Sequence, residues 1–168
     1  MVYLVLGGAR SGKSSYAQRL AEELGSRRLF LATAEALDEE MTRRIARHKA
    51  DRGTGWETVE VPLDLARTIE LHSKTQTVYL VDCLTLWLSN LMHAGRDVDA
   101  ETETLCEALK AATGNVILVS NEVGLGLVPE TPLGREFRDA QGRLNQKVAA
   151  VCDQVDFIAA GLPIKLKG

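Results

Sequence analysis

The 168-residue sequence has no long hydrophobic run and no excess of positive charge. Its most apolar later stretch, residues 84–92, contains Ser89 and Asn90 and is far shorter than the roughly 20 residues that a membrane-spanning helix needs. The formal net charge of -3 provides no general attraction to nucleic acid or to an anionic membrane. We therefore expect no membrane span and no nucleic-acid partner, and any affinity for phosphate has to be local.

Cysteine is also scarce. Cys83, Cys106 and Cys152 are odd in number, far apart in the chain and not in a CxxC spacing, so they predict neither a disulfide framework nor a zinc site. Reduced thiols in the cytoplasm fit this pattern best. The first residues lack a basic leader and a small-residue cleavage site, so we interpret them as a strand and not as a signal peptide.

The chain has no internal repeat, no low-complexity segment and no linker rich in Pro, Gly or Ser. Its length suits one domain over residues 1–168. Short apolar runs alternate with helical patterns, which predicts an α/β fold with a mainly parallel sheet and helices on both faces. The predicted strands are residues 2–6, 29–33, 56–61, 78–81, 116–120 and 155–159, with a possible last strand at 162–167 paired to its predecessor through Gly161. The predicted helices are residues 13–24, 38–49, 63–71, 84–93, 98–112 and 135–152.

A phosphate-binding loop is predicted between the first strand and the first helix. Gly7, Gly12, Lys13 and Ser14 match the pattern GxxxxGK followed by Ser or Thr. The glycines allow a concave nest of backbone N–H donors, and the positive end of the following helix favours bound phosphate. Lys13 is then expected to reach the β- and γ-phosphates and the Ser14 hydroxyl to hold Mg²⁺. The alternative is a chance match in a glycine-rich turn.

An acidic partner for the metal is expected at the end of a neighbouring buried strand. Asp82 follows four apolar residues, 78–81, and would emerge at the carboxyl end of the sheet, where open α/β sheets bind ligands. The alternative is that Asp82 only caps the next helix.

A histidine lies on a strongly basic predicted helix. Met41 and Ile45 mark an inward stripe at a spacing of four, and His48 continues it. A neutral imidazole among cations is a competent nucleophile toward an α-phosphate, forming a phosphoramidate and releasing pyrophosphate. The alternative is a solvated basic face with one packed histidine. We interpret His72 and His93 as structural. Five basic residues fall within ten positions: Arg43, Arg44, Arg47, Lys49 and Arg52.

Four blocks of sequence resemble one known family, the bifunctional adenosylcobinamide kinases and adenosylcobinamide-phosphate guanylyltransferases of cobalamin biosynthesis. With the closing residues 164–167 they extend over nearly the whole chain. The blocks are Gly7-Gly-Ala-Arg-Ser-Gly-Lys-Ser14, then Arg44-Ile-Ala-Arg-His-Lys-Ala-Asp-Arg52 followed by Trp56, then Asn121-Glu-Val-Gly124 with Val128-Pro129-Glu130, and Gly142-Arg-Leu-Asn-Gln146.

The resemblance implies a RecA-like P-loop NTPase fold, a homotrimer and two reactions on one corrinoid. The first would phosphorylate adenosylcobinamide with ATP or GTP, and the second would transfer GMP from GTP to that phosphate through a GMP-histidine intermediate at His48. Asp82 stands where the family has Asp or Glu. The family's GTP contacts correspond here to Gly7, Gly8, Ala9, Arg10, Ser11, Gly12, Lys13, Ser14, Ala32, Thr33, Ala34, Lys49, Ala50, Asp51, Arg52, Glu60 and Asp82.

Two other functions stay open from the residues alone. One is a small-molecule kinase that uses only the phosphate loop, with His48 structural. The other is a RecA-like switch module in which nucleotide hydrolysis drives a partner. The longest irregular connection, residues 121–134, is a candidate wall of a corrinoid cleft or a plain surface loop. The sequence names no general base for the kinase step.

Overall fold

The computed structural model describes residues 1–72 and 76–168, apart from the side chains of Arg44, His48 and Asp51. These residues form seven strands and six helices that agree with the predicted order. They are β1 (Val2–Gly7), α1 (Lys13–Leu24), β2 (Arg27–Ala32), α2 (Glu39–Arg52), β3 (Trp56–Glu60), α3 (Leu65–His72), β4 (Thr77–Asp82), α4 (Leu84–His93), α5 (Val98–Ala111), β5 (Asn115–Asn121), α6 (Pro132–Val151), β6 (Gln154–Ala159) and β7 (Leu162–Lys167).

All seven strands form one sheet in the order β3-β2-β4-β5-β1-β6-β7. Strands β1 to β6 pair in parallel, and β7 pairs antiparallel with β6. Every residue of β1 is buried, as expected for a strand with helices on both faces of the sheet. The predicted α/β fold is confirmed. The strand of the phosphate loop, β1, and the strand of Asp82, β4, are separated by β5 alone.

Two apolar clusters hold the layers together. One packs α3, α4, α5 and α6 against one face of the sheet, and the other packs α1 against the opposite face. Alternate residues of β1 show the division: Leu4 belongs to the larger cluster and Val5 to the smaller one, because successive side chains of a strand point to opposite faces. Trp87 is fully buried in the larger cluster, and its indole N–H donates to the Leu63 carbonyl at 2.7 Å.

No described side chain of α2 belongs to either cluster. Asp38, predicted as the first helical residue, is the N-terminal cap and accepts from the Met41 N–H at 2.7 Å. The helix continues to Arg52, three residues beyond the predicted end. Met41 and Ile45 of the predicted inward stripe are half-buried, whereas Thr42, Arg43, Ala46 and Arg47 are exposed. The stripe is therefore the less exposed face of a helix in which charged side chains dominate, and such side chains are rarely buried fully.

The connection after β5 is shorter than predicted. Asn121 completes β5, and α6 begins at Pro132 instead of Arg135. The Thr131 hydroxyl accepts from the Gly134 N–H at 3.0 Å as the N-terminal cap, and proline is favoured at the first helical position. The irregular segment is therefore residues 122–131.

The closing strand and its hairpin are confirmed. Ala160 and Gly161 join β6 to β7 with φ values of 51° and 78°, the left-handed pair that suits a two-residue hairpin turn. Within the described residues, no helix combines the length and apolar character that crossing a membrane requires.

Candidate active site

The phosphate loop occupies residues 8–12, between the last residue of β1 and the first of α1. Gly12 has a φ of 93° and Arg10 a φ of 56°, so the chain turns through two left-handed residues before the helix begins. The Lys13 ammonium donates back across the loop to the Gly8 carbonyl at 3.0 Å. The predicted strand-loop-helix context is present, and the chance-match alternative lacks support.

Two later segments support this loop, and the sequence analysis did not connect either of them with it. The Gly161 N–H, in the β6–β7 turn, donates to the Ser11 carbonyl at 2.8 Å. A side chain at Gly12 would place its Cβ only 3.1 Å from the Gly161 Cα. On the other side, the Glu122 N–H donates to the Gly7 carbonyl at 3.1 Å. The loop is therefore held between the ends of β5 and β6.

Asp82 ends β4 at the same edge of the sheet and is half-buried. The residue that caps α4 is Cys83, so the alternative in which Asp82 caps that helix is wrong. The peptide bond between Asp82 and Cys83 is cis. Burial, with a smaller contribution from the Asp82 charge, raises the pKa of the Cys83 thiol to about 11, which keeps the thiol neutral. Ser14, the second residue of α1, is also half-buried.

The end of β2 is fixed by its own hydrogen bonds. Thr33 is fully buried, its hydroxyl donates to the Cys83 carbonyl at 2.8 Å, and the Cys83 N–H donates to that hydroxyl at 2.8 Å. The Asn90 amide donates to the Thr33 carbonyl at 2.8 Å. Ala32 pairs in register with both Asp82 and Glu60. Thr33 therefore braces β2 against β4, because its hydroxyl is occupied by hydrogen bonds to the Cys83 backbone.

The carboxyl end of α2 reaches the same edge. Arg52 is buried, with its guanidinium 3.5 Å from the centroid of the Phe30 ring. Burial lowers the pKa of Arg52, and the negative charge of Asp82 opposes that shift. The Lys49 ammonium lies 3.9 Å from the Glu60 carboxylate. The structure thus pairs Lys49 with Glu60 and places Arg52 within electrostatic reach of Asp82; their contact with one ligand stays a prediction.

Some predicted residues take no part in these contacts. Ala50 is exposed on α2 and Ala34 is half-buried beyond β2. His48 and Asp51 are helical in their backbone, and their side chains lie outside the described residues.

A buried polar network beside the candidate site was not predicted from the sequence. The side-chain oxygen of Asn145, Oδ1, accepts from the Ser120 hydroxyl at 2.7 Å and from the Gln141 side-chain amide at 3.0 Å. The Asn145 amide in turn donates to the Asn121 carbonyl at 3.1 Å. Asn145 falls in one of the blocks that carried the family resemblance, but no motif or periodicity connects α6 with the end of β5.

Comparison with known proteins shows the family of this chain. The model of the cobinamide kinase / cobinamide phosphate guanyltransferase family matches residues 3–166. The chain belongs to this family. It is 50% identical over 167 residues to the bifunctional adenosylcobalamin biosynthesis protein CobP of Pseudomonas aeruginosa, with 98% of this chain and 96% of that protein covered. It is 38% identical over 182 residues to the CobU protein of Escherichia coli, which bears the same bifunctional name, with 99% and 100% covered.

The fold also has solved relatives of distant sequence. A KaiC-like protein of Pyrococcus horikoshii superposes with a TM-score of 0.51 at 14% identity, with 93% of this chain and 71% of that chain covered. At this identity the likeness concerns the fold alone. A member of the cobinamide kinase family with this fold is a P-loop NTPase that uses nucleotides in both of the family's reactions.

Proposed function

We propose that this protein phosphorylates adenosylcobinamide with ATP or GTP and then transfers GMP from GTP to the product, giving adenosylcobinamide-GDP and pyrophosphate. The family and its bifunctional relatives support both reactions. The observation that carries the proposal is that two basic elements belong to the carboxyl ends of strands of one sheet: the phosphate loop with Lys13 after β1, and the end of α2 with Lys49 and Arg52 beside β3 and β2. A simple kinase has no need of the second element.

The phosphate loop is proposed to bind the triphosphate in both steps. Backbone N–H groups of residues 7–14 and the amino end of α1 would face the phosphates, as in other nests at helix termini. The Lys13 ammonium, which now bonds the Gly8 carbonyl, would move to the β- and γ-phosphate oxygens. This placement supplies positioning and positive charge, which are the main requirements of phosphoryl transfer.

The donor set at this edge fits Mg²⁺. This ion prefers oxygen ligands and is usually bound through one or two carboxylates together with substrate phosphates and water. Asp82 supplies a carboxylate and Ser14 a hydroxyl, and both are half-buried beside the loop. Bound there, Mg²⁺ would neutralise charge on the phosphates. Arg52 lies close enough to Asp82 to influence it electrostatically, so Asp82 has a cationic neighbour even before the metal binds.

His48 is proposed as the nucleophile of the GMP transfer. Its imidazole would attack the α-phosphorus of GTP, forming an N–P bond as the bond to pyrophosphate breaks, and the corrinoid phosphate would then take GMP from the histidine. Lys49 and Arg52 lie one residue and four residues after His48 on α2, with Arg52 anchored on Phe30. Their positive charges would stabilise the developing charge on the phosphates.

The experiment is covalent labelling with GTP that carries label at the α-phosphate, in the presence of Mg²⁺. Wild-type protein is expected to retain acid-labile, alkali-stable label after denaturation, and His48→Asn is expected to retain none. His93→Asn is the matched control, because His93 is exposed and, within the described structure, its side chain forms hydrogen bonds with Ser89 only. An unlabelled wild type, or a labelled His48→Asn variant, contradicts the histidine assignment.

The same variant separates the two activities. His48→Asn is expected to keep the kinase reaction, measured as transfer of γ-labelled phosphate from ATP to adenosylcobinamide, because the phosphate loop is intact. Loss of both reactions in a folded variant would show that the histidine serves nucleotide binding in general and would count against separate roles.

We also propose a homotrimer acting in the cytoplasm, with a corrinoid cleft bordered by residues 122–131. The free thiols Cys83, Cys106 and Cys152 suit a reducing compartment. Light scattering is expected to give three times the chain mass of 18.3 kDa, and a monomeric mass would refute the trimer.

A further inference from the structure

The kinase step needs a group that takes the proton of the acceptor hydroxyl, and the structure holds a carboxylate in the right place. Glu122 directly follows β5, and β5 lies between β1 and β4. The carboxyl ends of these parallel strands carry the phosphate loop and Asp82. Glu122 therefore emerges between the residues that would bind the triphosphate and the one that would hold its metal.

The backbone of this segment is fixed from three sides. The Glu122 N–H donates to the Gly7 carbonyl at 3.1 Å. The Asn121 N–H donates to the Thr85 hydroxyl at 2.9 Å, and the Asn121 carbonyl accepts from the Asn145 amide at 3.1 Å. A catalytic group has to be held within a fraction of an ångström of its productive position, and bonds to β1, α4 and α6 supply that restraint.

The carboxylate itself is oriented but retains capacity to accept a proton. Glu122 is half-buried, and its Oε1 accepts from the Gly124 N–H at 2.6 Å. A Cβ at Gly124 would lie 2.9 Å from this oxygen, so a side chain at position 124 would displace the carboxylate. No described backbone or side-chain group donates a hydrogen bond to Oε2, so this oxygen is available to accept a proton.

Other described carboxylates near this edge are engaged elsewhere. Asp82 faces the charge of Arg52 and is the proposed metal ligand. Glu60 pairs with Lys49 on β3, which is separated from β1 by three strands. Among these carboxylates Glu122 alone is bonded through its backbone to the phosphate loop.

We infer that Glu122 is the general base of the kinase step, an assignment that rests on the proposed function. As the acceptor oxygen of the corrinoid side chain bonds to the γ-phosphorus, its proton passes to the Glu122 carboxylate. The bond from the γ-phosphorus to the bridging oxygen breaks, and its electron pair stays on the nucleoside diphosphate. The carboxylic acid then releases the proton to water before the next turnover.

The test is Glu122→Gln, which keeps a carbonyl oxygen for the Gly124 N–H and removes the basic group. The matched control is Glu70→Gln, an exposed carboxylate on α3 that has no part in the candidate site. We expect the kinase kcat of Glu122→Gln to fall by on the order of 10²- to 10⁴-fold, the usual contribution of a general base. Glu70→Gln is expected to keep the wild-type rate.

Two further readouts separate catalysis from structure. Labelling of Glu122→Gln by α-labelled GTP is expected to be unchanged, because that half-reaction has no acceptor hydroxyl. Glu122→Asp, which keeps a carboxylate on a shorter side chain, is expected to recover part of the kinase kcat that Glu122→Gln loses. A kinase rate equal to wild type, or equal losses of kinase and GTP labelling, overturns the inference. A wild type without kinase activity refutes the proposed function instead.

Discussion

Asn145 joins α6 to the end of β5 beside the candidate site, and replacing it with leucine tests that network. The change removes the acceptor of the Ser120 hydroxyl, at 2.7 Å, and the donor to the Asn121 carbonyl, at 3.1 Å. The Gln141 amide keeps its second bond, to the Ser120 oxygen at 3.0 Å. Two polar groups are thus left without these partners, at a cost of about 1–3 kcal/mol each.

The leucine side chain recovers part of that cost by burying apolar surface, so we expect Asn145→Leu to lower the free energy of unfolding by about 3 kcal/mol. For a chain of this size the melting temperature should fall by about 10 °C. Urea denaturation followed by circular dichroism measures the first value and a thermal scan the second.

Gln146→Leu is the matched control, since Gln146 is the next residue of α6 and is exposed. We expect it to change the free energy of unfolding by less than about 0.5 kcal/mol. If Asn145→Leu is as stable as Gln146→Leu, the network contributes no net stability and the energetic argument is refuted. If Asn145→Leu is stable but has a reduced kinase rate, the network of Asn145 positions the end of β5 without contributing net stability.

Two more outcomes are expected. Gly12→Ala should abolish GTP binding in a calorimetric titration, because a φ of 93° is unfavourable for alanine and the added Cβ would lie 3.1 Å from the Gly161 Cα. Gly95→Ala is the control and should bind GTP normally, since Gly95 has a φ of 65° but open space around it. GTP binding by Gly12→Ala would disprove the steric argument. Burial raises the pKa of Cys83 to about 11 and of Cys152 to about 12 from the ordinary 9.0. Above pH 9 the unfolded chain therefore binds fewer protons than the native state, and the free energy of unfolding should fall by up to about 1.4 kcal/mol per pH unit for each thiol. Urea denaturation of wild type and Cys152→Ala measures these slopes, and equal slopes would refute the contribution of Cys152.

Local rules made the fold largely predictable. Helices α1 and α4 begin and end where the apolar periodicity indicates, and the parallel sheet follows from alternating strands and helices because a crossover helix has to return each strand to the same direction. The predicted start of α6 was wrong because a specific cap sets it, with Thr131 as the capping residue and Pro132 as the first helical residue. The depth at which α2 lies was not predictable, because periodicity indicates which face of a helix is less polar and not whether any surface lies opposite that face.

The phosphate loop, the family and the order of the elements were predictable from the sequence, since each motif, family block and helical or strand pattern is made of residues that are close together in the chain. Only the tertiary structure decided which distant residues share the site. Strand order brings the ends of β1, β5 and β4 side by side, and that places Glu122 against Gly7 and Asn145 against Asn121. Hydrogen bonds between such residues depend on relative position in space, which residue type and spacing along the chain do not specify.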